Sequence, residues 1–142
     1  MVKQISIFLE NKCGRLVKVT QVLGKHKINI RALTIADTSD FGILRLIVDK
    51  PDEAIDVLKS EGFMASATEV IAVEVPDTPG GLARVLEYLE EAEINIEYLY
   101  SFVEKPEQDA LILMRVESNE KAMEVLKQRQ VKIIDGPAIY NL

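Results

Sequence analysis

What most limits the folds open to this chain is that its sequence is written twice. A shift of 66 positions carries Ile5, Ile7 and Leu9 onto Ile71, Val73 and Val75, and Gly14 and Leu16 onto Gly80 and Leu82. The same shift carries Val19 and Leu23 onto Val85 and Leu89, and Ile28-Asn29-Ile30 onto Ile94-Asn95-Ile96. Further along the shift becomes 68. Leu44, Leu46 and Val48 then meet Ile112, Met114 and Val116, while Ala54, Val57 and Leu58 meet Ala122, Val125 and Leu126. Two extra residues near Lys105-Pro106-Glu107 account for the change. Turns, apolar faces and triplets all keep register, which chance does not explain. The expected units are residues 1–68 and 69–142.

Within one copy the elements follow from periodicity. Ile5, Ile7 and Leu9 alternate with Gln4, Ser6 and Phe8, so residues 2–10 read as a strand. Leu16, Val19 and Leu23 recur at helical spacing and predict a helix over 14–26. Ile28-Asn29-Ile30 opens a second strand, Asp37-Thr38-Ser39-Asp40 is a turn, and residues 42–49 are a third strand. Pro51 suits the first turn of a second helix and Gly62 its C-terminal cap. An extended segment follows. The order β-α-β-β-α-β predicts an α+β fold: two ferredoxin-like sandwiches, each an antiparallel sheet with helices on one face.

The stretch with chemical content is Asp77-Thr78-Pro79-Gly80-Gly81-Leu82, between a strand and a helix start. Pro79 holds the chain extended before it, and the glycines permit a tight turn or the close approach of another group. The first N–H groups of the helix lack intrahelical partners and, with the helix dipole, suit a carboxylate. Asp77 accepts either a ligand's ammonium group or a hydrogen bond from its own turn. The equivalent stretch of the first copy is Asn11-Lys12-Cys13-Gly14-Arg15-Leu16.

Strand, Asp-x-Pro-Gly-x-Leu, helix and Ile-Asn-Ile together, complete over residues 71–96, resemble the ACT domain family. The likeness extends over the whole chain as a tandem pair, looser in the first copy, where Asn11 and Cys13 depart from the pattern. It implies a regulatory module that binds an amino acid where two ACT units meet, using the turn after one unit's first strand and the second strand of its neighbour. Carried onto this chain, the resemblance implicates Asn11, Gly14, Asn29, Asp77, Gly80 and Asn95. The turn geometry adds Cys13, Arg15, Leu16, Thr78, Pro79, Gly81 and Leu82. Asn29 and Asn95 have an alternative role, closing their own backbone at a strand entrance.

Other signals narrow the rest. Phe63 to Val75 contains the last strand of one copy and the first of the next with neither Pro nor Gly between them, so a shared or exchanged strand and a homodimer are expected. Ile43, Ile47, Leu111 and Leu113 on the helix-free face point the same way. Tyr98, Tyr100 and Phe102 alternate along a strand, either as packing or as a wall for a planar ligand. Cys13 begins a helix, but His26 lies at its far end, so the thiol has no evident base. A net charge of -6 opposes a nucleic-acid binder. One cysteine excludes an internal disulfide, and no apolar run is long enough to span a bilayer. Neither cofactor nor metal is expected, and no catalytic motif appears. The expected setting is cytoplasmic, with a regulated metabolic enzyme as a further partner. The competing readings are an assembly-only module and an acyl-phosphate hydrolase using Arg15.

Overall fold

Residues 1–37, 40–102 and 109–142 are described by the computed structural model, Asp37 by its backbone alone. The expected turn at Thr38 and Ser39 and the insertion near Lys105-Pro106-Glu107 lie outside them.

The alternating residues of the first copy form β1 (Val2–Glu10), followed by α1 (Arg15–Lys25), β2 (Ile30–Asp37), β3 (Phe41–Val48) and α2 (Pro51–Ser60), with Pro51 in the first turn of α2. A single strand of 13 residues, β4 (Met64–Pro76), comes next. The first compact unit holds residues 3–68 and 139–142. Its strands lie in the order β2-β3-β1-β4. Antiparallel register pairs Ile5 with Leu46 and Ile7 with Leu44, placing all four on one face. Val19, Val22 and Leu23 of α1 and Ala54 and Leu58 of α2 close over that face as one core.

The second unit holds residues 1–2 and 69–138 and repeats the plan. It contains the rest of β4, α3 (Gly81–Glu91), β5 (Ile96–Ser101), β6 (Asp109–Val116), α4 (Asn119–Gln128) and the two-residue β7 (Ile133–Ile134). Strand order is β5-β6-β4-β7. Ile71 faces Met114 and Val73 faces Ile112, the same pairings as in the first unit under the two shifts. Val85 and Leu89 of α3 and Ala122 and Leu126 of α4 cover that face.

Both ends of the chain depart from the simple division at residue 68. Met1 and Val2 group with the second copy, and Ile139–Leu142 with the first. The short α5 (Gly136–Tyr140) carries Tyr140, whose hydroxyl accepts from the Lys3 amide at 2.8 Å and whose carbonyl accepts from Arg31 Nε at 3.3 Å. Ile139 is fully buried. Residues 139–142 have no counterpart in the repeat, because the 68-residue shift returns them to β4, so periodicity says nothing about where they go.

The conserved-looking Ile-Asn-Ile triplet has a structural cause. α1 ends with the Lys27 amide donating to the Gly24 carbonyl and the Ile28 amide to the Leu23 carbonyl. This 5→2, 6→1 pattern needs a left-handed residue at its corner, and Lys27 supplies it with φ 57°. α3 ends the same way through Glu93 and Ile94, α2 through Gly62 and Phe63, and α4 through Gln130 and Val131. The apolar residue after each corner packs into the core or against it. The second strands therefore begin at Ile30 and Ile96, two residues later than the pattern suggested.

Leu126 is fully buried beneath α4. Leu126→Ala is expected to lower the unfolding free energy by about 3 kcal/mol, through lost burial and the cavity left behind. Urea unfolding measures it.

Candidate functional site

β4 ends at Pro76, and Asp77 to Gly80 form the turn into α3. The Gly81 amide donates to the Thr78 carbonyl at 3.0 Å, and the Arg84 amide to the Gly80 carbonyl at 3.1 Å. Gly80 is the N-cap, left-handed with φ 83°, so the capping position offers no side chain to the first amides of α3. Asp77 stands three residues before that cap. The two glycines, read together in the sequence, have separate tasks. A Cβ on Gly81 would stand 2.1 Å from the Pro76 carbonyl oxygen, so its missing side chain is replaced by the chain's own backbone rather than by a ligand. Only Gly80 is open, with nothing within 4 Å of an added Cβ.

A cavity of about 330 Å³ adjoins this turn. Thr78, Pro79, Gly80 and Gly81 line one side of it. Arg84 and Tyr88, one turn apart on α3, line the next. Arg129 and Lys132, after α4, face Glu74 and Asp109 from the strands. Arg129 Nη2 donates to Glu91 at 2.7 Å, and its guanidinium carbon lies 4.9 Å from the Tyr88 ring centre. Lys132 Nζ lies 3.7 Å from Glu74. Arg84 and Asp109 form no ion pair or side-chain hydrogen bond among the described residues. Both signs of charge are thus presented to one cavity of a size suited to a small molecule.

The first copy builds a similar corner with other side chains, and Arg15, which has a Cβ, stands at the place of Gly81. The Arg15 amide donates to the Lys12 carbonyl at 3.3 Å and the Lys18 amide to the Gly14 carbonyl at 3.0 Å, with Gly14 left-handed at φ 90°. Asn11, Lys12, Arg15 and Leu16 line a recess of about 140 Å³. Glu10 reaches into this corner, 2.9 Å from Lys12 Nζ and 3.3 Å from Arg15 Nη2. The hydrogen bond and charge of Lys12, with Arg15 beside it, hold the Glu10 carboxyl below the usual carboxylate range. Cys13 is exposed.

The expected site residues therefore separate. Thr78, Pro79, Gly80 and Gly81 come together at the 330 Å³ cavity, which Asp77, Leu82 and Asn95 do not line. Asp77 has interactions of its own. The Asn29 amide donates to the Asp49 carboxylate at 2.9 Å, and Asp49 returns its amide to the Asn29 carbonyl at 3.1 Å. Asn95 and Glu117 repeat that exchange. Each asparagine lies past the far end of an 11-residue helix, about 16 Å from the turn. Its backbone closes the strand entrance. On the helix-free faces Ile47, Leu111 and Leu113 are buried while Ile43 is 36% exposed. Tyr100 is buried, and Tyr98 is half-buried. Glu91, exposed on α3, holds Arg129. Arg84, Asp109, Arg129 and Lys132 were missed by the motif. The signal that finds them is the repeat itself, read for differences: Lys18, Phe41, Glu61 and Met64 stand in their places in the first copy.

Two outcomes follow from this geometry. Gly80→Ala is expected to cost about 1–2 kcal/mol, the strain of a left-handed residue. Gly81→Ala is expected to cost more, because its Cβ meets fixed backbone; paired thermal melts compare them. Glu10 has a depressed pKa in the folded state, so its contribution is present above the ordinary carboxylate pKa and is lost as pH falls through the folded value. Glu10→Gln is therefore expected to destabilise slightly at neutral pH and to match the parent in acid, the difference shrinking with added salt. Melts across pH and ionic strength measure it.

Comparison with known proteins places this geometry. A family described as an ACT domain pair matches residues 1–142. A search of curated proteins finds no match. A crystal structure of a protein from Bacteroides thetaiotaomicron is 45% identical, with a TM-score of 0.93, over 99% of this chain and 96% of that one. The ligand-free regulatory subunit of aspartate kinase from Thermus thermophilus is 20% identical, with a TM-score of 0.66, over 89% of this chain and 91% of that one. The corresponding subunit from Thermus flavus is 18% identical with a TM-score of 0.62, over 89% and 90% of the two chains. At these identities the last two show a shared fold.

Proposed function

We propose that this chain, which belongs to the family of ACT domain pairs, is a regulatory module without catalytic activity that binds an amino acid at the turn between β4 and α3. The observation that carries this reading is the cavity at Thr78 to Gly81, where a helix start, the guanidinium of Arg84 and the carboxylate of Asp109 converge. An amino acid presents the complementary pair, a carboxylate and an ammonium group. The shared fold serves as a regulatory subunit of aspartate kinase in Thermus thermophilus, which supports a metabolic enzyme as the partner. A homodimer belongs to the same reading, with Asn29 and Asn95 contributing to a site only through a neighbouring unit.

A regulatory role asks that a ligand stabilise one arrangement of the protein over another. Among the described residues no group of His, Cys, Asp or Glu could hold a metal ion, and no helix is long and apolar enough to cross a membrane. The hydrolase reading has lost its main support, since Arg15 is already paired with Glu10.

A thermal-shift panel of the twenty amino acids tests the proposal. A ligand that binds only the folded form stabilises by mass action, about 2.7 kcal/mol at a hundredfold excess over Kd. One or a few are expected to raise Tm in proportion to the logarithm of concentration. A flat response to all of them would favour a module that serves assembly alone.

A further inference from the structure

The two copies share the left-handed glycine and the first hydrogen bonds of this corner, while the side chains around it have diverged as a set. Under the two shifts, Glu74 corresponds to Phe8, Asp109 to Phe41, Val131 to Phe63 and Lys132 to Met64. In the first copy these positions line an apolar recess in which the Phe8 and Phe41 rings stack, centroids 4.9 Å apart. Such a surface repels an unpaired carboxylate or ammonium group by failing to solvate it. The cation that lines it, Arg15, already holds a carboxylate, that of Glu10, which Lys12 also holds. Pro76, at the place of Glu10 in the second copy, has no charge to offer. A carboxylate supplied by the chain in one copy thus has no counterpart in the other.

The second copy's corner has the opposite balance. Arg84, Arg129 and Lys132 line it against two acids, Glu74 and Asp109. Lys132 and Glu74 face each other, and Arg129 is braced by Glu91 and stacked on Tyr88 with its guanidinium half-exposed. That leaves Arg84 and Asp109 as a cation and an anion without protein partners among the described residues, beside a positioned second guanidinium. Counting Glu91, three cations and three carboxylates meet at this corner, and Arg84 and Asp109 are the two left unpaired among the described residues.

We infer that, of the two equivalent corners, the second copy's is the selective ligand site and that it takes an amino acid with an additional carboxylate, Arg84 and Arg129 receiving the two carboxylates and Asp109 the ammonium group. The inference rests on the proposed function and deepens it. Guanidinium groups match carboxylates in a bidentate fork, and the burial of either charge without its counterpart disfavours other ligands. An apolar amino acid leaves Arg129 without its second anion, and lysine brings a further cation beside Arg84 and Arg129 with no carboxylate left to receive it.

Isothermal titration calorimetry of the full chain with aspartate, glutamate, alanine, leucine and lysine tests this. The expected result is one site per chain, with an acidic amino acid at least tenfold tighter than the others. Arg84→Ala and Asp109→Asn are each expected to weaken it tenfold or more, while Lys18→Ala, the equivalent of Arg84 in the first copy, leaves it unchanged. Arg84 is exposed, and circular dichroism of each variant confirms that the fold is intact. Preference for an apolar or basic amino acid, two equal sites, or indifference to Arg84 and Asp109 would overturn this inference while leaving amino-acid binding standing. No heat and no thermal shift with any amino acid would overturn both.

Discussion

Everything in each unit depends on one face of a four-stranded sheet meeting two helices. A unit of about seventy residues has little apolar surface to spare. The core positions of β1 and β3 must therefore fall on one face, and the stripes of α1 and α2 must land on it. Ile5 opposite Leu46 and Ile71 opposite Met114 show that this happens in the same register in both copies. A one-residue slip of either strand would send every core residue to the other face. The turn into α1 or α3 sits at the end of this constraint, because the strand before it and the helix after it are both fixed by the core.

The corner at that turn is a consequence of packing before it is a place for chemistry. Gly81 has no side chain because Pro76 carbonyl oxygen occupies the space, and Gly80 is left-handed because the chain must reverse into the helix. Both copies satisfy the same geometric demand, using Gly14 and Gly80 at the same place. What the corner can bind is settled by the residues around it, which the fold leaves free to vary. One copy filled that freedom with stacked phenylalanines and an internal ion-paired carboxylate, and the other with arginines, a lysine and two acids.

The helix ends show the same economy. Helices α1 to α4 each close with a left-handed residue followed by an apolar one, and of these four only α2 uses glycine there. Lys27, Glu93 and Gln130 accept a conformation that costs an L-residue about 1–2 kcal/mol. The hydrogen bonds from the next amides and the burial of Ile28, Ile94 and Val131 offset it. Asn29 and Asn95 recur because the strand entrance recurs: each donates its amide to the carboxylate of the acid just after the third strand of its unit and accepts that acid's amide at its carbonyl.

The amino-acid sequence alone determined the duplication, the βαββαβ order, the core residues and the αL turns at Gly62 and Gly80, because each rests on a local period or a local steric rule. It also marked the Thr78–Gly81 turn as the place to look. It did not determine which glycine was free and which was filled, since that depends on the Pro76 carbonyl, five residues before Gly81, folding back. Nor did it locate Arg84, Asp109, Arg129 and Lys132 beside the turn. These come from two helices and a strand, and only tertiary packing brings separations of up to about fifty residues into one cavity. The placement of residues 139–142 with the first copy was likewise decided by tertiary structure, through the Tyr140 bonds to Lys3 and Arg31, because a segment outside the repeat carries no periodic signal of its partner.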